Sequence, residues 1–159
     1  MGWVTLTLRK QGLKKQSNAY ELQLLQISSK RRSLARSKTS QLASLKAEKT
    51  ASLLSPQETY NQALEQYQGV LSGHDQDAIK EAEVEFQKAK SEYEAQKTSI
   101  SELYETQKEE LESDTTEQET ELDEEQTRIE ALLQSVNQEI ESVGQQIGTD
   151  IQSSTIKFS

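Results

Sequence analysis

SGHDQD, residues 72–77, is the clearest loop in the chain, and the sequence on either side of it is written in helical spacing. Gly73 is suited to end one helix and Asp75 to cap the next. On the C-terminal side, Ile79, Ala82, Phe86, Ala89, Tyr93, Gln96, Ile100 and Leu103 recur at intervals of three and four. The pattern resumes at Ile129 and continues through Leu132, Val136, Ile140, Val143 and Ile147. On the N-terminal side, Leu13, Tyr20, Leu24, Ile27 and Leu34 follow the same rule, and Leu42 and Leu45 take it up again. Such spacing puts one apolar stripe on each helix. Two stripes joined by a short loop predict an all-α protein, an elongated antiparallel helical hairpin or coiled coil with its tip near 72–77.

Composition fits a narrow seam better than a broad core. Only 32% of the 159 residues are hydrophobic, whereas a coiled-coil seam needs about two apolar residues in seven. The arms expected are a basic-to-neutral helix over 13–71 and an acidic helix over 78–147. In the first, Ser55-Pro56-Gln57-Glu58 has the form of a capping box with proline in the first turn, so a kink is expected at 55–56. In the second, DTTE at 114–117 could also cap a helix, and Gly144 and Gly148 offer the chain an exit.

The ends read differently. Over 1–12, Val4, Leu6 and Leu8 alternate with Thr5 and Thr7, and Trp3 adds an anchor. Over 148–159, Ile156 and Phe158 alternate in STIKFS. Period-two patterning predicts short β segments at both termini, pairing with each other or with a neighbouring subunit.

Charge is sorted along the chain. Residues 1–54 carry eleven Lys and Arg against Glu21 and Glu48, a balance of +9; residues 55–159 carry seven against twenty-five acids, a balance of −18. The most basic stretch, KRRSLARSK at 30–38, supplies Lys30, Arg31, Arg32, Arg36 and Lys38. Folding back at the loop makes positions face each other when their numbers add to about 147. The basic stretch then meets Glu109, Glu110, Glu112, Asp114 and Glu117, and flanking charges of opposite sign set coiled-coil orientation. In that register Leu22, Leu24, Leu25 and Ile27 form an apolar cluster wider than a two-helix seam. With Trp3, Val4, Leu6, Leu8, Ile156 and Phe158 it is the candidate partner-binding surface.

Motifs for chemistry are absent. There is no phosphate loop or dinucleotide fingerprint, no cysteine, and one histidine, His74, in the loop. The acidic runs lack calcium-loop spacing. No enzyme activity, metal or cofactor is expected. No apolar run reaches the ~18 residues of a membrane span, and the first residues do not read as a signal peptide, so a cytoplasmic or virion-associated location is expected. The basic stretch has no interleaved aromatics, and the acidic remainder repels polyanions, which disfavours nucleic acid. In architecture the hairpin is similar to the stalk proteins of type III secretion and flagellar export; that resemblance implies a transient adaptor, chaperone or export-ATPase stalk. The surplus apolar cluster points instead to a non-enzymatic subunit built into an assembly, such as a virion, a phage head-tail or a secretion machine. Its partners would be other protein subunits, forming an oligomer or multi-protein complex. A nucleic-acid-associated protein using the 30–38 patch is the second alternative.

Overall fold

The computed structural model describes the backbone of residues 2–158 and the side-chain surroundings of residues 2–155. It consists of two long helices packed antiparallel, α1 from Trp3 to Leu71 and α2 from Gln76 to Phe158, with no strand among the described residues. The link falls inside the predicted loop. Asp75 caps α2: its Oδ1 accepts from the backbone N–H of Asp77 at 3.1 Å and of Ala78 at 3.3 Å. Asp77 adds a carboxylate to the first turn, where the helix dipole favours it. Gly73 does not adopt a left-handed conformation; its N–H instead donates to the Val70 carbonyl, 3.0 Å away.

The predicted β ends are helical. Trp3, Val4, Leu6 and Leu8 lie in the first turns of α1, where the Gly2 carbonyl accepts from Thr5 and Leu6. Tertiary burial overrides their strand propensity. Leu6 stands seven residues before Leu13 and shares its face, and both are buried against Val136 and Val143 of α2. A lone two-stranded ribbon offers no comparable burial. At the other end α2 runs through Gly144 and Gly148 to Phe158, and the side chains of Ile156 and Phe158 lie outside the described residues. The Lys10 side chain crosses Gly144, its Nζ 3.1 Å from where a methyl group would stand.

Neither internal capping signal breaks a helix. α1 carries Pro56 within it. At 114–117, Thr115 sits in the seam, 2% exposed, with its hydroxyl donating to the Leu111 carbonyl at 2.6 Å. A β-branched residue whose hydroxyl is satisfied by its own helix fills a seam position without needing a cross-helix partner.

Contacts divide the molecule into two units, Met1–Ala35 with Thr116–Ser159, and Arg36–Thr115. In the first, Leu6, Leu13, Val136 and Val143 form the core, Tyr20, Ile140 and Ile147 pack on it, and Ile27 and Ile129 are also buried. Ser17, buried among these, donates its hydroxyl to Asn137 Oδ1 at 3.0 Å across the seam. In the second unit aromatic rings take the place of a buried aliphatic core. Tyr67 stacks on Phe86 with centroids 5.0 Å apart, Phe86 meets Tyr60 at 5.8 Å, and Tyr60 stacks on Tyr93 at 5.0 Å. Lys49 places its Nζ 4.7 Å over the Tyr104 ring.

The cross-helix pairs fall both on and above the expected register: Arg9–Glu139 adds to 148 and Tyr60–Phe86 to 146. The cross-helix pairs Tyr60–Tyr93, Tyr67–Phe86 and Lys49–Tyr104 of the second unit have numbers that add to 153 rather than 147. In the first, Ser17–Asn137 and Arg31–Asp123 add to 154. Part of the offset has a general cause. Side chains tilt toward the N-terminus of their own helix. In an antiparallel pair, side chains that meet therefore start from Cα atoms displaced toward the C-terminus on both helices. Both residue numbers rise, most for long Tyr and Arg side chains.

Candidate interaction surface

The basic segment meets α2 near its start. Arg31 Nη2 donates to Asp123 Oδ1 and, at 2.8 Å, to Gln126 Oε1. Lys30 Nζ lies 3.8 Å from Glu125 Oε2. Arg32 turns back to the Ser28 carbonyl of its own helix at 3.5 Å. Arg36 is exposed and Lys38 half-buried. Lys30 and Arg31 therefore engage acids of α2, Asp123 and Glu125, which lie outside the expected set. Glu109, Glu110, Glu112 and Asp114 fall in the other unit from Lys30 and Arg31. All four, and Glu117, are exposed. The acids that Lys30 and Arg31 meet lie seven or eight residues further toward the C-terminus of α2 than a sum of 147 gives, roughly 11 Å of helix.

A further pair joins Arg9 to Glu139. These side chains remain 36–65% exposed, so each pair contributes only about 0.2–1 kcal/mol. Their effect falls on register and on exclusion of wrong pairings. Sequence reasoning missed Arg9–Glu139 and the Ser17–Asn137 bond. Ser17 was findable: it lies four residues after Leu13 and three before Tyr20, a polar residue in an apolar row.

The apolar cluster splits. Ile27 is 2% exposed and Leu24 half-buried, whereas Leu22 is 56% and Leu25 66% exposed. Positions two apart on a helix point about 200° away from each other, so alternate members of such a cluster cannot share one seam. The N-terminal residues divide the same way. Leu6 is buried, and Trp3, Val4 at 54% and Leu8 at 64% are exposed.

Among the described residues no group of three or more His, Cys, Asp and Glu is placed to hold a metal ion, and no helix is long and apolar enough to cross a membrane. The described fold and surface define a two-helix hairpin with exposed apolar residues on both helices, four of them, Val4, Leu8, Leu22 and Leu25, on the side of α1 away from α2. No protein family, curated protein or solved structure matches the chain.

Proposed function

We propose that this chain is a non-enzymatic structural subunit, a coiled-coil hairpin that docks into and spaces neighbours within a larger complex such as a virion, a phage head-tail or a secretion machine. The observation that carries the reading is the outer side of α1. Val4, Leu8, Leu22 and Leu25 are more than half exposed there, while α2 already covers the opposite side of the same helix. Large apolar side chains grouped on an otherwise polar surface support a protein contact. The pairing of Lys30 and Arg31 with α2 weighs against the nucleic-acid reading, because those groups already have counter-charges.

The test is complex stability. The chain is isolated from its native source under mild conditions, and its mass is followed by light scattering after gel filtration, with isotope-labelled free chain added to measure exchange. A complex of fixed stoichiometry that resists exchange for hours is the expected result. A monomer, or a complex that exchanges within seconds, would replace this reading with the transient-adaptor one.

A further inference from the structure

Four exposed apolar residues of α1, Val4, Leu8, Leu22 and Leu25, belong to a regular row. Val4, Leu8, Lys15, Leu22, Leu25 and Arg32 are joined by Gln11, Asn18 and Ser29 into a series with alternating steps of four and three, and every member is exposed. This row lies about 200° around the helix from the buried one that holds Leu6, Leu24 and Ile27. Over residues 4–32, α1 thus carries a seam filled by α2 and, on the opposite side, an open row that holds two apolar pairs, Val4 with Leu8 and Leu22 with Leu25, at coiled-coil spacing.

We infer that the open row docks an acidic helix of another protein. The inference rests on the assembly reading above and names the partner's chemistry. A row one residue wide at coiled-coil spacing fits the groove of a helix. It does not fit a lipid surface, which takes a broad apolar sector with its basic residues on the opposite polar face; here Lys15 and Arg32 stand in the row itself. The sign of the charge follows from what α2 leaves over. Residues 1–35 hold a single acid, Glu21. Arg9, Lys30 and Arg31 are engaged by α2, while Lys14 and Lys15 are exposed beside or within the row.

A second copy of the chain is a poor occupant. Pairing the row with itself antiparallel, Val4 against Leu25, brings Lys15 onto Lys15; pairing it parallel brings Lys15 onto Lys15 and Arg32 onto Arg32. Like charges placed so are repulsive. Among the described residues, the α2 stretch of the same unit has no matching row. Its exposed large apolar residues among those described are Leu132 and Ile151, which lie about 100° apart around the helix. The partner helix therefore presents apolar residues to Val4–Leu8 and to Leu22–Leu25, with carboxylates opposite Lys15 and Arg32. Asn18, in the middle of the row, gives that pairing its register, as a single seam asparagine does in coiled coils.

The probe is a synthetic 28-residue heptad peptide with Leu at the seam positions and Glu opposite Lys15 and Arg32; its twin carries Lys at those sites. Each is titrated against the full chain, with fluorescence anisotropy of the labelled peptide as readout. The acidic peptide is expected to bind at least tenfold tighter than the twin. Lys15→Glu with Arg32→Glu should reverse the preference, and Leu22→Glu with Leu25→Glu should abolish binding of both with the helical circular dichroism unchanged. Equal binding of the two peptides, or binding of neither, overturns the inference. So does adsorption to phosphatidylserine vesicles, or dimerisation of the chain, that is lost in the Leu22→Glu, Leu25→Glu variant. If the native complex survives that double substitution, the acidic-helix inference falls while the assembly reading stands. If no stable complex exists at all, the assembly reading falls first.

Discussion

Ile27 and Leu25 show how finely the surface of α1 is divided. They are similar in volume and two positions apart, yet one is 2% and the other 66% exposed. Truncating a buried aliphatic side chain removes its transfer energy and leaves a cavity, whereas an exposed one leaves neither. Ile27→Ala should cost about 2–5 kcal/mol and Leu25→Ala should stay within about 0.5 kcal/mol, both read by urea unfolding followed at 222 nm. Equal effects would mean that Leu25 is covered in the folded chain. The apolar character of 22–27 was legible in the sequence. Which members face inward was not, because that depends on where α2 lies.

At the scale of the element, helix starts and stops are governed by few groups. Asp75 was legible as the cap of α2 from its place after Gly73, and its carboxylate takes up the N–H groups of Asp77 and Ala78. Asp75→Ala should destabilise the chain by about 1 kcal/mol, with Asp75→Asn nearly neutral; thermal unfolding of the two variants side by side checks it. Other local signals were equally visible and lost. The capping boxes at 55–58 and 114–117 sit inside uninterrupted helices, since breaking a helix there would give up seam contacts on both sides. Pro56 stays helical although it cannot donate to the Ser52 carbonyl. Its ring is half-buried and lines a small pocket with Tyr60, Ala89 and Tyr93.

At the scale of the whole molecule, burial is unevenly shared. Every buried aliphatic residue among those described belongs to the unit built from Met1–Ala35 and Thr116–Ser159; the unit Arg36–Thr115 relies on half-buried aliphatics and its aromatic ladder. Regions with few buried apolar contacts open at lower free energy. Amide hydrogen exchange is therefore expected to be slowest around residues 6–27 and 129–143 and faster over 36–115, measured by mass spectrometry of peptic fragments. The opposite order would mean that the aromatic ladder outweighs the aliphatic core. By itself the sequence determined the two helices, the link between them, the Asp75 cap and the opposition of a basic arm to an acidic one. These follow from spacing within a turn or two and from composition, and both are local. Only the tertiary structure decided that the alternating N-terminal segment is helical, that Arg31 meets Asp123, and that Leu22 and Leu25 stay outside. Those outcomes rest on contacts between residues 92 to 130 positions apart. A shift of one or two turns changes the energy of every such contact while leaving each local pattern intact.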